Sequence, residues 1–184
     1  NRLEDLRGLR LQASGIEQQE LVRALGATPV GTVTVRDAAE AISRGVVDGS
    51  PKDWLALYTF RISDATNHHV TVPMGASTIM IALSRAKYNS LPAKAREAID
   101  RFSGENFVRN AGRLFDEDTA RMRKEALGDR KRTVLDLAAD ERIRWDKAMS
   151  STTDAWRQRD PTNERLWQAL LKTRAQVRGE LGMK

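Results

Sequence analysis

The sequence predicts an α/β fold in which parallel βαβ units lead into a long helix and then C-terminal helices. Three observations carry this. Short β-branched or period-two runs alternate with helices of about ten residues through the first half, the pattern of strands joined by helical crossovers. Ser90-Leu91-Pro92 then opens a helical stretch over residues 93–127, broken only by single glycines. Asp160-Pro161 finally separates two more helices, because proline cannot continue a helix from the residue before it. With 184 residues, of which 40% are hydrophobic and 30% charged, the chain is too apolar for disorder. It is long enough to bury roughly 70% of its unfolded surface without a metal or disulfide staple.

Element by element, Leu9-Arg10-Leu11-Gln12 alternates at period two after Gly8 and reads as a first strand. Residues 16–25 carry apolar residues at Ile16, Leu21, Ala24 and Leu25 and predict a helix, with Gly26 as the stop. Residues 29–35 are β-branched and predict a second strand; 36–44 predict a helix with Ala38, Ala41 and Ile42 inward, ending at Gly45. Val46-Val47 predicts a short third strand before the turn Asp48-Gly49. Ser50-Pro51 opens a further helix, with Ser50 as its cap and Pro51 in its first position. Val70-Thr71-Val72-Pro73 and residues 78–83 predict two buried strands, and 132–137 one more short strand. Helices follow over 140–158 and 162–181; Trp145, Trp156 and Trp167 recur every 11 residues along them and read as packing anchors.

Chemistry is sparsely signalled. The absence of cysteine excludes disulfides, thiolate nucleophiles and thiolate metal sites. The only histidines, His68 and His69, are adjacent, so in a strand they point to opposite faces and do not share a metal. No phosphate-binding loop, dinucleotide fingerprint or Gly-x-Ser-x-Gly elbow occurs, and no catalytic residue, cofactor or metal is predicted. No apolar run approaches the roughly 18 residues of a membrane helix. The net charge of +6 falls mostly in the second half, but acids are interspersed among the bases there, as in Asp116-Glu117-Asp118 before Arg121-Met122-Arg123. Mixed signs along a helix predict solvated faces and no nucleic-acid contact. A basic nucleic-acid-binding or helical protein-interaction module is the alternative reading, and steep salt dependence would distinguish the former.

What remains is binding. In open α/β sheets ligands sit at the carboxyl ends of strands. The residues there are Arg10 and Gln12 on the first strand, Thr34 on the second, and the turn from Ser50 to Trp54. Arg10 and Gln12 share a face by the period-two rule. Arg10 suits a bidentate grip on a carboxylate; a surface arginine on an edge strand is the other reading of it.

The ordered set Asp5-Leu6-Arg7-Gly8-Leu9-Arg10-Leu11, Leu25-Gly26-Ala27-Thr28-Pro29-Val30, Ala41-Ile42-Ser43-Arg44-Gly45-Val46-Val47-Asp48-Gly49 and Lys87-Tyr88-Asn89-Ser90-Leu91-Pro92 resembles the solute-binding proteins of tripartite ATP-independent periplasmic (TRAP) transporters. The helix carrying Arg144-Trp145 and Trp156 extends the resemblance over nearly the whole chain. It implies a periplasmic-binding-protein-like (type II) fold, with the N-terminal part of the first lobe missing. Residues 1–77 would form a ligand-binding α/β lobe, 78–131 a hinge strand and long inter-lobe helix, and 132–184 a short strand and C-terminal helices. The implied function is capture of a small, carboxylate-bearing solute between two lobes in the periplasm and its delivery to the membrane permease subunits, without catalysis. The family grips the carboxylate with an arginine where this chain has Gln12, which hydrogen-bonds but brings no charge. Lys52 aligns with a polar ligand contact in the next turn, and Trp54 with an aromatic that one branch carries there. Helix and strand faces left without their lobe would expose apolar surface, which predicts a homodimer of the shortened chain.

Overall fold

The computed structural model describes residues 2–76 and 79–182. The chain divides into two compact units, Asn1–Pro51 with Asp136–Lys184, and Lys52–Leu135. The polypeptide therefore passes from one to the other twice, at residues 51–52 and 135–136.

In the first unit a 3₁₀ turn (Leu3–Leu6) precedes β1 (Arg10–Gln12), α1 (Gly15–Ala24), β2 (Thr28–Val30) and α2 (Ala38–Ser43). β1 and β2 run parallel, with Arg10 opposite Thr28, Leu11 opposite Pro29 and Gln12 opposite Val30. Pro29 has no N–H to give a ladder and is tolerated because β2 flanks β1 on one side only. The parallel βαβ arrangement read from the sequence is thus present, but its strands are shorter. The expected strand over 29–35 stops at Val30 because local polar groups claim the backbone beyond it: the Gln12 amide takes the Val33 carbonyl, and Thr34 turns the chain onto Asp37. Gly31 allows the close passage there, since a Cβ would lie 2.5 Å from the Gln19 amide nitrogen.

The expected third strand at Val46-Val47 is displaced to a single parallel bridge between Leu11 and Gly49. Asp48 N–H donates to the Arg10 carbonyl (2.7 Å) and Gln12 N–H to the Gly49 carbonyl (2.9 Å). Pro51, two residues on, has no N–H with which to extend the ladder. Val47 is instead a core residue.

α7 (Ala139–Arg159) and α8 (Pro161–Glu180) complete this unit. Asp160 is extended and its carboxylate accepts from Thr162 N–H at 2.6 Å, so α8 starts afresh with Pro161 in its first turn. α7 packs on α1 and on the 3₁₀ turn, burying Trp145 and Met149. Ala13, Val22 and Ala27 form the core between strand and helix, with Leu6 and Leu11 against them. Ion pairs tie the same elements: Arg144 to Glu4 and Glu141, and Arg159 to Glu20.

The second unit holds α3 (Trp54–Thr59), a 3₁₀ turn (Ile62–Asp64), β3 (His68–Thr71), α4 (Arg85–Asn89), α5 (Ala93–Phe102) and α6 (Gly104–Gly128). β4 (Thr133–Asp136) pairs with β3 and carries the chain back. The helix expected to open at Pro51 begins three residues later. Asp53, not Ser50, is its cap, accepting from Ala56 N–H at 2.8 Å, because the Ser50 hydroxyl is engaged elsewhere. The long helix divides at Ser103, which is extended, and Gly104 takes φ +64°, a conformation open to glycine and costly for other residues.

The expected strand over 78–83 is not formed. Thr78 lies outside the described residues, and 79–83 have no regular structure; Ile79, Met80, Ile81 and Leu83 are exposed. Among the described residues no strand pairs with this segment. The core of this unit is Leu57, Ile62 and Ala126, where α3 packs on α6. The Arg132 guanidinium fastens the chain beside it, donating to the carbonyls of Ser63 (2.6 Å) and Thr66 (2.9 Å) and pairing with Asp129. Along α6, α7 and α8 many of the basic groups pair with acids of the same helix or its neighbour, as Arg109 with Glu105, Arg113 with Glu117 and Arg157 with Glu164. These are solvated faces of mixed sign.

Candidate functional site

The strand ends of the first unit are built around two side chains. Arg10 starts β1 and is half-exposed. Its guanidinium meets the Asp48 carboxylate through two bonds, Nε to Oδ2 at 3.1 Å and Nη2 to Oδ1 at 2.9 Å, and Nη2 also donates to the Gly45 carbonyl at 2.8 Å. The Arg10 backbone N–H adds a third bond to Asp48, at Oδ2 (2.7 Å). This contact holds the Asp48 carboxyl below the usual carboxylate value of 3.8, the Arg10 side chain acting first and its N–H second. Three of the five guanidinium donors are thus committed within the fold. The fork chemistry that makes arginine suited to a carboxylate is present, and the carboxylate it holds is the protein's own.

Gln12, two residues along, is fully buried. Its amide nitrogen donates to Ser14 Oγ (2.9 Å) and the Val33 carbonyl (3.0 Å), and its oxygen accepts from the Ser50 hydroxyl (2.8 Å). Arg10 and Gln12, expected on one strand face, differ in environment: Arg10 is exposed and Gln12 is buried beneath three chain segments. Thr34 is exposed, with its hydroxyl donating to Asp37 at 2.6 Å ahead of α2. Sequence reasoning did not foresee Asp48 as the partner of Arg10, having read Asp48-Gly49 as a turn. Nor did it foresee Ser50 as a donor to Gln12. The signal was present in each case, a charged or hydroxyl residue at a strand end, but the pairing depends on register.

In the second unit, Lys52 and Trp54 lead into and begin α3. Lys52 is half-buried, and desolvation pushes its ammonium below the ordinary lysine value, with the charge of Asp53 opposing. The Trp54 ring lies 5.8 Å from that of His69 on β3, tilted by 51°. His68 is exposed on the opposite face, as adjacent strand residues must be. The His69 ring nitrogen Nε2 and Thr71 Oγ1, on the inner face of β3, are buried without a hydrogen-bond partner. Burial holds His69 below its usual 6.5, helped by the charges of Arg132 and His68. The packing of His69 on Trp54 was not legible in the sequence, since the two are 15 residues apart. Among the described residues no group of three or more His, Cys, Asp or Glu could hold a metal, and no helix is long and apolar enough to cross a membrane.

Residues 1–159, which run from the first 3₁₀ turn to the end of α7, match a known family model, bacterial extracellular solute-binding protein family 7 (DctP). This chain belongs to that family. The C4-dicarboxylate-binding periplasmic protein DctP of Rhodobacter capsulatus is 24% identical over 159 residues, which are 85% of this chain and 46% of that one. Among solved structures, a marine metagenome TRAP solute-binding protein specific for aromatic acid ligands, in complex with metahydroxyphenylacetate, is 27% identical with a TM-score of 0.73. It matches 89% of this chain and 52% of its own. A TRAP solute-binding protein from Rhodoferax ferrireducens in complex with copurified benzoate is 26% identical with a TM-score of 0.74, over 89% of this chain and 51% of its own. The chain spans about half the length of these relatives. The type II binding-protein fold of TRAP solute-binding proteins, expected from the ordered motifs, is the fold observed. The family is one of solute binding and transport, not of enzymes.

Proposed function

We propose that this chain is the solute-binding part of a TRAP-type transport system, acting in the periplasm without catalysis and handing its solute to membrane permease subunits. The solute is a small organic acid, and an aromatic monocarboxylate fits the residues best. The observation that carries this reading is the sequence of a half-buried Lys52 and a Trp54 ring at the start of α3, in a chain of this family. A lysine ammonium attracts a carboxylate by a charge-assisted hydrogen bond. An indole ring nearby supplies flat apolar surface for a ring of the solute. The relatives at 26–27% identity were solved with metahydroxyphenylacetate and benzoate, which agrees with this choice.

In this reading Lys52 and Trp54 touch the solute. Arg10, Gln12 and Thr34 shape the strand ends through Asp48, Ser50 and Asp37. The test is calorimetric titration of the chain with benzoate, 3-hydroxybenzoate, L-malate and succinate. Lys52→Met should weaken the best acid about 10- to 100-fold, the worth of one charge-assisted bond. Arg10→Ala should weaken it less than Lys52→Met, because its guanidinium is spent on Asp48. An acid that binds equally well to wild type and Lys52→Met would remove Lys52 from the site, and a larger loss with Arg10→Ala would move the carboxylate to Arg10. The reading also includes association of two copies of this chain.

A further inference from the structure

The Trp54 ring, at the start of α3, has the His69 imidazole of β3 as its neighbour, with centroids 5.8 Å apart and planes tilted by 51°. His69 and Thr71 share the inner face of β3. Each holds a buried polar atom, Nε2 and Oγ1, that has no hydrogen-bond partner among the described residues. Such an atom is uncommon in a folded chain and is destabilising. Nε2 is already covered by this chain, so its lack of an acceptor is set by its own surroundings. Lys52, Trp54 and His69 all belong to the second unit, and the contact is internal to one compact body.

A neutral imidazole tolerates this setting and an imidazolium does not. Protonation would make Nε2 a charged donor, out of water and without an acceptor. Burial, then the charge of Arg132 ahead of β4, then that of His68 on the outer face of β3 all oppose the proton. The acids of the neighbouring elements are engaged or exposed. Asp129 pairs with Arg132 (3.0 Å), Asp64 of the 3₁₀ turn pairs with Arg61 (2.8 Å), and Asp53 caps α3 at Ala56 N–H (2.8 Å). Glu125 of α6 and Asp136 at the end of β4 are exposed. Lys52, just before α3, is a further cation. From α3 itself Trp54 offers only the face of its ring, whose attraction for a cation is smaller than the hydration an imidazolium loses.

A proton on His69 is therefore relieved by moving the imidazole from the inner face of β3 toward water. Trp54 then loses the ring that sets its orientation, and stacking on an aromatic solute depends on that orientation. We infer that neutral His69 is the positioning residue for Trp54, so that an aromatic acid binds near neutral pH and is released as the medium acidifies. This rests on the reading that Trp54 touches the solute, and adds to it a dependence on protons. Lys52 gives the opposite trend, because an ammonium is more fully charged at lower pH. The solute carboxylate stays ionised between about pH 5 and 8 and contributes no trend there.

The test is calorimetric titration of the chain with benzoate at about pH 8, 7, 6 and 5, with far-UV circular dichroism at each pH. One linked proton should make wild-type binding about 3- to 30-fold weaker at pH 5 than at pH 8. His69→Phe keeps a ring against Trp54 and takes no proton, so its affinity should vary by less than about 2-fold over that range. His69→Leu should behave likewise and serves if the phenylalanine variant does not fold. His68→Gln, on the outer face, should keep the wild-type trend. It also leaves a single histidine, whose imidazole NMR signal reports His69 directly. Trp54→Ala in that background should move the titration up toward the ordinary 6.5, because the indole that covers the ring is gone. Benzoate bound equally well at pH 5 and pH 8, or a fall that both His69 variants retain, overturns the role of His69 and leaves the solute site standing. A fall that appears only where ellipticity is also lost overturns it too, since His69 then acts on the whole fold. No binding of benzoate at any pH overturns the aromatic-acid reading itself, and this inference with it.

Discussion

Replacing Gln12 by leucine isolates what its amide does. Leucine fills nearly the same volume, so the change removes polar contacts with little cavity. Three bonds are lost, to Ser14 Oγ, the Val33 carbonyl and the Ser50 hydroxyl, all within one unit. At about 1 kcal/mol each the sum is about 3 kcal/mol. The serine hydroxyls can rotate to other acceptors, whereas the Val33 carbonyl cannot turn without its chain, so a loss of about 2–3 kcal/mol is expected. In urea, where slopes are about 1–3 kcal/mol per molar, the midpoint should fall by about 1–2 M. Gln12→Glu sharpens the test by setting a carboxylate oxygen against the Val33 carbonyl. Its buried carboxyl should titrate above the unfolded glutamate value of about 4.3. The folded state then holds the proton more tightly, so the variant keeps its stability below that pH and loses it progressively as pH rises. Paired urea titrations of the three proteins at pH 4 and pH 7 supply the readout. If Gln12→Leu shifts stability by no more than the roughly 0.5 kcal/mol of an exposed substitution, the bonds around Gln12 carry no load and the reasoning fails.

Three further outcomes are expected. His69 is held below 6.5 in the fold by burial, so the unfolded chain takes up its proton first; stability should decline as pH falls through 6.5, and His69→Phe should flatten that slope in urea titrations between pH 7 and pH 5. Asp48 is depressed by Arg10, so its contribution is present above pH 3.8 and is lost as pH falls through its lower folded value; Arg10→Ala should return the Asp48 carboxyl to the ordinary range in a carbon-detected NMR titration. Asp160→Ala should lower the urea unfolding midpoint through loss of the α8 cap at Thr162, with Asp160→Asn recovering most of it.

The family and the positions of several helix stops were readable in the sequence because the motifs and caps that mark them are local. Gly26 and Gly45 end helices, Pro161 starts one, and period-two runs mark β1, whatever surrounds them. The opposite orientation of His68 and His69 was equally local, following from the pleat. The fold decided what depends on partners distant in sequence. Residues 29–35 are β-branched enough for a seven-residue strand, but Gln12 and Asp37 claim their polar groups after Val30. Ser50 had the chemistry of a cap and was drawn 38 residues back to Gln12. Residues 79–83 are apolar enough for a buried strand and stand exposed, since hydrophobicity states a need for cover without providing it. Arg10 could be recognised as a residue that grips carboxylates, but only the register of β1 against the turn at Gly49 determined that the carboxylate in reach is Asp48.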